Sequence, residues 1–215
     1  MQNIIPVGRA LAEPVEQTVA ARTLQERSDT YTEEVRRLLD ATYAVMRRTG
    51  SVDPRVSDIV AEAGLSNQAF YRHFRGKDEL LLAVLDDGQR RLVFYLEARL
   101  GRVDPGAPRV RAWIEGVLEQ ARNRDAAANT RPFMVNSARL ADQFPDDTSR
   151  SREQMMAPLR AAIADAGGDP VRDADAIYHL AMGQAGDAIA RGQLPTKAVV
   201  DHLVQFALRG NGGTR

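Results

Sequence analysis

The chain has no cysteine. It can therefore form no disulfide, bind no metal through thiolate and carry no cysteine nucleophile, which excludes disulfide-framed and thiol-dependent classes together. Lysine is nearly absent too. Lys77 and Lys197 are the only lysines, arginine supplying the other basic residues, a bias read as codon usage in a GC-rich genome. No apolar run approaches the ~20 residues that a membrane span needs. Pro6, Arg9, Glu13, Pro14 and Glu16 interrupt the aliphatics between Met1 and Ala20, so neither a membrane partner nor a leader is expected, and the expected location is the cytoplasm.

Net charge is missing as well: 29 Lys+Arg stand against 29 Asp+Glu in 215 residues. Proteins that coat nucleic acid or membranes through bulk electrostatics carry a basic excess, so any nucleic-acid contact here must come from a local patch. Catalytic signatures are absent. There is no G-x-S-x-G elbow and no H-E-x-x-H, and a P-loop ending at Gly76-Lys77 would need glycine where Tyr71 stands. The pairs Glu33-Glu34, Asp86-Asp87 and Asp146-Asp147 lie in polar stretches and read as solvated surface. Asp175 and His179 sit one helical turn apart, but no further His or Cys joins them to complete a metal site. The expectation is a protein that is not an enzyme and has no cofactor and no metal.

What the chain does have is apolar spacing near 3.6 residues almost throughout, without sustained alternation, so the expected fold is all-α. Val35, Leu38, Leu39, Tyr43 and Met46 form one stripe of a helix over about 30–49, with Thr42 small enough to lie on it and Thr30 and Glu33 as its capping box. Asp53-Pro54 is expected to open a second helix with Val56, Ile59, Val60 and Ala63 inward, ended by Gly64. Ser66 should cap a third over Asn67–Phe74, with Phe70 and Phe74 as i, i+4 partners. A fourth starts at Lys77 and runs to about Arg102, with Leu81, Val84, Leu85, Leu92, Tyr95 and Leu96 on one side. Five more are expected at about 107–125, 131–144, 150–166, 172–191 and 195–209, bounded by Pro145, Gly167-Gly168, Pro170, Gly192 and Pro195.

Two short helices joined by Gly64-Leu65-Ser66 and packed on a longer one are the arrangement of a helix-turn-helix, whose second helix enters the DNA major groove. From Ala63 to Lys77 the chain carries Arg72, Arg75, Lys77 and His73 and no acid, a positive strip on a neutral molecule. Asn67, Gln68, Tyr71 and Arg72 project away from Phe70 and Phe74. Asn and Gln can pair with adenine and Arg with guanine. Lys77 opens a helix whose free N–H groups favour a phosphate. Arg55 and Arg75 read equally as phosphate contacts or as plain surface charges, and His73 equally as a base contact or a packing group.

The segment Ile59 to Leu81, IVAEAGLSNQAFYRHFRGKDELL, closely resembles the DNA-binding domain of TetR-family transcriptional regulators. It joins the Ala-Gly-aliphatic-Ser turn, the aromatic-Tyr-x-His-Phe core of the recognition helix and the Gly-Lys-acid-Glu-Leu start of the fourth helix, and with the preceding helix the resemblance covers about residues 30–85. It implies that Tyr71 and Lys77 contact phosphates and that Ser66, Asn67, Gln68, Ala69, Arg72 and His73 lie at the DNA surface. Many members open the second helix with a Thr pair. Here Pro54 and Arg55 stand there, and Asp53 and Arg55 are the candidates to substitute.

In the second half, Phe94, Tyr95, Trp113, Phe133, Met134, Met155, Met156 and Tyr178 fall on several helices. Each taken singly reads as ordinary core; together they suit an adaptable apolar pocket with Asn136, Arg139 or Gln143 as polar anchors. The resemblance implies such a pocket, for a small, largely apolar effector, between the fourth and seventh helices. The small-residue run Ala181, Gly183, Ala185, Gly186 and Ala188, with Val199, Val200, Leu203, Phe206 and Ala207 of the last helix, suits either tight internal packing or a two-fold four-helix interface.

The expected organisation is an arm over 1–28, a helix-turn-helix domain over 29–76, a helical ligand-binding and dimerisation domain over 77–209 and a tail over 210–215. The expected function is a homodimeric regulator, a repressor on a palindromic double-stranded DNA operator, released by its effector. The alternative is a helical dimeric ligand-binding or interaction protein that no longer binds DNA.

Overall fold

The computed structural model describes residues 15–122, 124–193 and 195–209. Residues 1–14 of the expected arm and the expected tail over 210–215 lie outside the described residues. Among those described, nine helices and no strand form the fold: α1 (Val15–Thr49), α2 (Val56–Ala63), α3 (Asn67–His73), α4 (Lys77–Leu100), α5 (Ala107–Arg122), α6 (Arg124–Gln143), α7 (Pro145–Asp165), α8 (Arg172–Arg191) and α9 (Lys197–Arg209).

Four helix starts differ from expectation, and one of them is α7, which begins at Pro145 itself and not near residue 150. α1 does not start at Thr30. It runs back to Val15, and the Thr30 hydroxyl donates to the Glu26 carbonyl at 2.9 Å, one turn back inside the helix, instead of capping anything. α2 is not capped by Asp53, because Arg55 occupies the N-cap without a side-chain bond and Asp53 is engaged elsewhere. α6 begins before Pro132, which therefore lies inside the helix. A proline there leaves the carbonyl four residues back without its helical donor, a built-in weak point.

The first helices pack around Leu38, Tyr43, Ile59, Phe70, Phe74, Leu80 and Val84, all buried. Thr42 is fully buried on the α1 stripe and returns its hydroxyl to the Leu38 carbonyl at 2.7 Å. The α2–α3 turn rests on Gly64, whose φ of +62° favours glycine, and on Arg37, which donates to the Ala63 and Gly64 carbonyls. Ser66 caps α3 as expected, its Oγ accepting from the Ala69 N–H at 3.1 Å.

A larger core surrounds Trp113, Leu96, Leu118, Met155, Met156, Leu159 and Ile177 and joins α4, α5, α7, α8 and α9. Between the two cores, Met46 of α1, Leu81 of α4 and Leu140 of α6 form a small third cluster. α4 and α6 thus tie the helix-turn-helix to the C-terminal helices.

Candidate nucleic-acid interface

α3 presents Asn67, Gln68, Tyr71 and Arg72 to solvent, and Ser66 and Arg55 are exposed beside them. Tyr71 is 62% exposed, its ring held edge-on to the buried Phe70 at 5.1 Å. An exposed row of amide, phenol and guanidinium groups on a short, capped helix is what base edges and phosphates require.

Two of the expected contact residues are turned the other way. Ala69 is buried against the core and presents no side chain to a groove. The His73 side chain is fully buried, with Nε2 2.5 Å from the Glu34 carboxylate and Tyr31 edge-on at 4.2 Å, so its role is packing and hydrogen bonding within the domain.

Glu34 corrects a second expectation. It is only 17% exposed and accepts from Arg72 at 2.6 Å as well as meeting His73. These hydrogen bonds, Arg72 first and His73 next, hold its carboxyl below the usual range. Asp86 and Asp87 are likewise engaged, Asp86 by Ser151 at 3.0 Å and Arg90 at 2.8 Å, Asp87 by Arg91 at 2.8 Å and by the Tyr43 hydroxyl at 3.4 Å. Burial, ahead of the Asp87 charge, pushes the Tyr43 phenol up, so it remains a donor, to the Val84 carbonyl at 2.8 Å.

Lys77 is the first residue of α4, as expected, but its Nζ lies 2.7 Å from Asp53. Glu79 accepts from the Arg75 N–H at 2.6 Å, so the start of α4 already holds a carboxylate where a phosphate was expected. Next to this pair a closed ring of contacts forms. Asn136 of α6 donates to the Val52 carbonyl at 2.8 Å and accepts from Arg139 at 2.8 Å, and Arg139 pairs with Asp78. Val52-Asp53 and Lys77-Asp78 are chain neighbours, so the ring closes through the Asp53–Lys77 bridge. Asn136 and Arg139 therefore bracket the helix-turn-helix and do not line the apolar cavity between α4 and α8. Gln143 is exposed and lines a shallow depression with Arg75, Lys77 and Arg139.

A cavity of about 500 Å³ opens between α4 and α8. Leu85 and Leu92 of α4, Met134 and Ser137 of α6, Met155 of α7 and Tyr178 and Met182 of α8 line it, with Gln89, Gln120, Arg152 and His179 as polar wall residues. Of the expected pocket residues, Met134, Met155 and Tyr178 are there. Trp113 and Met156 are buried core instead, and Phe94 and Tyr95, 75% and 37% exposed, point to solvent. The Phe133 side chain lies outside the described residues. Nothing in the sequence alone distinguished Leu85, Gln89 or Arg152 from other helical residues.

In the small-residue run, Ala181 and Ala185 are buried within the chain and a side chain at Gly186 would strike Met134. Internal packing thus accounts for those positions. Leu180, Val199 and Phe206 remain exposed on α8 and α9, at 38%, 37% and 60%.

The family model described as bacterial regulatory proteins, tetR family, matches residues 38–84, which are the end of α1, the α2–α3 reader and the start of α4. This segment is a DNA-binding reader of the TetR type. The chain is 37% identical over 79 residues to a transcriptional regulator, BetI, of Brucella anthropi, and 30% identical over 95 residues to BetI of Proteus mirabilis. These stretches cover 37% and 43% of this chain and only 41% and 48% of those relatives. The TetR fold extends over most of the molecule. A fatty acid degradation regulator, FadR, from Bacillus halodurans superimposes with a TM-score of 0.65 at 16% identity, over 85% of this chain and 96% of that one. A TetR-family regulator from Streptomyces coelicolor gives 0.63 at 23% identity, over 85% and 97%. The matched relatives are transcriptional regulators and not enzymes, and no helix among the described residues is long and apolar enough to cross a membrane.

Proposed function

We propose that the protein is a homodimeric, sequence-specific DNA-binding regulator of the cytoplasm, a repressor whose grip on a palindromic operator is relieved when a small, largely apolar effector enters the α4–α8 cavity. The observation that carries this reading is the exposed face of α3, where Asn67, Gln68, Tyr71 and Arg72 stand free of the core on a reader matched to a regulator family. One such unit covers few base pairs, and selectivity needs a symmetric pair. The exposed Leu180, Val199 and Phe206 on α8 and α9 supply an apolar surface for that pairing.

Relief requires the effector to favour one conformer over another. α6 is the element able to transmit the choice. Its Met134 and Ser137 line the cavity, while Asn136 and Arg139, on the same stretch of helix, hold Val52 and Asp78 beside Lys77. An occupant that displaces α6 near Pro132 pulls on the ring and changes the setting of Lys77 and α3. Asn136 and Arg139 act here as positioning residues.

The test is binding to DNA upstream of the protein's own gene against excess unrelated competitor, with Lys77→Ala as control, followed by selection from random sequence. Selective binding lost in the variant supports the reading. Failure in both assays moves the assignment to a dimeric ligand-binding protein that does not use DNA.

A further inference from the structure

The cavity wall has a chemical bias. Among the described residues it carries arginine, histidine, glutamine and hydroxyl groups but no Asp or Glu. An apolar cation entering it would find no counter-charge among the described lining residues, and Tyr178 is the single phenol or phenyl ring among them, too few faces to cage an ammonium group.

Two polar atoms on this wall have no partner: Arg152 Nε and Gln89 Oε1, both shut off from water. Unpaired buried groups of this kind are uncommon and call for an explanation. The Arg152 guanidinium is held in place rather than free. It stacks over the Tyr178 ring at 4.9 Å and donates through one terminal nitrogen to Asp175 at 2.6 Å and to His179 at 3.0 Å. Its Nε–H needs an acceptor. The glutamine amide can be turned end for end to present its N–H to the same acceptor. Small rotations about the side-chain torsions open both groups to the space they line.

Exposure sets the orientation. Arg152 and His179 are 40% and 64% exposed and mark the outer end, whereas Met155 is 1% exposed and marks the depth. Leu85, Leu92, Met134 and Met182 complete an interior suited to a hydrocarbon body. Asp175 is the group that currently neutralises Arg152, and at 55% exposure it is a weak competitor in water.

We propose that the cavity takes an apolar carboxylic acid in its ionised form, hydrocarbon inward, with the carboxylate on Arg152 and Gln89 in place of Asp175. This rests on the reading of the cavity as the effector site and names the ligand class that fits it.

The experiment titrates decanoate, decan-1-ol and decylamine into the full-length protein. It follows the fluorescence of Trp113, the chain's one tryptophan, whose ring lies 6.4 Å from Tyr178, together with thermal stability. Decanoate should bind at least about tenfold more tightly than decylamine, the difference expected of a charge-assisted hydrogen bond. Arg152→Gln should remove that preference while leaving decan-1-ol within about twofold, because the neutral head makes no ion pair. Asp175→Asn, which withdraws the competing carboxylate, should tighten decanoate, and far-ultraviolet circular dichroism checks that both variants are folded. Decylamine binding as tightly as decanoate, or decanoate unaffected by Arg152→Gln, overturns the ligand class while leaving the cavity a binding site. No response to any of the three compounds overturns both the class and the reading of the cavity as an effector site.

Discussion

Asp53 Oδ1 lies 2.7 Å from Lys77 Nζ, joining the loop before α2 to the first turn of α4. The lysine that the sequence pattern assigns to phosphate is thus already occupied by a carboxylate that is itself 54% exposed. An exposed pair of this kind is worth about 0–1 kcal/mol, so a phosphate can take Lys77 from Asp53 at small cost. Asp53→Asn should raise affinity for all DNA sequences modestly, and Lys77→Ala should lower it for all, flattening the salt dependence by about one unit of slope. Equilibrium binding across a salt series checks both, and a sequence-dependent effect of Lys77→Ala would assign it to base readout.

Glu34 restrains the recognition helix through Arg72. Replacing it with Gln removes a negative charge beside the reader and releases the guanidinium, so DNA affinity should rise and the salt slope should steepen by about one. Gln68→Ala and Arg72→Ala should instead change which operator is preferred, each wrong base pair costing about 1–3 kcal/mol in the parent protein. Competition between operator variants is the measurement.

The same carboxyl gives a pH signature. Its folded-state pKa is lowered from 4.5, chiefly by the Arg72 hydrogen bond. The stabilisation is therefore complete above that value and is lost as pH falls through the lower folded value. Amide exchange in α3 should stay flat from neutrality to pH 5 on this account and rise in more acidic solution. Glu34→Gln should abolish that acid-dependent rise, and its persistence in the variant would assign it to another group.

If α6 carries the signal, breaking the ring should disconnect the two sites. Arg139→Ala should leave effector affinity of the DNA-free protein nearly unchanged and bring the ratio of operator dissociation constants with and without effector toward unity. An unchanged ratio would place the coupling in the α4 core contacts.

The α8–α9 surface is tested by Phe206→Glu. A charge at this 60% exposed position costs little in a monomer but is expensive within an apolar interface. Sedimentation should report monomers, with operator affinity falling steeply and the fold retained. A dimer that survives the change would place the two-fold axis elsewhere.

Local sequence determined the helical class, most helix boundaries and the reader. Ser66, Gly64 and the pair Phe70 and Phe74 act within one turn of their own neighbours, so composition and a 3.6-residue period suffice to read them. The exposed face of α3 was legible for the same reason: once the phenylalanines go inward, Asn67, Gln68, Tyr71 and Arg72 must go outward. Local reading failed at Ala69, which lies on the motif but faces the core, and at His73 it left two roles open between which tertiary packing decided.

Long-range contacts decided the rest. Glu34 meets His73 across 39 positions and Asn136 reaches Val52 across 84, so neither pairing has a spacing that a single sequence can display. Trp113 and Met156 share the composition of Met134 and Met155, and only the packing of α4 to α8 sorts core from cavity wall. A helix period says which way a side chain points from its own axis; what stands opposite depends on how the helices are placed, and that is decided by the burial of all of them together.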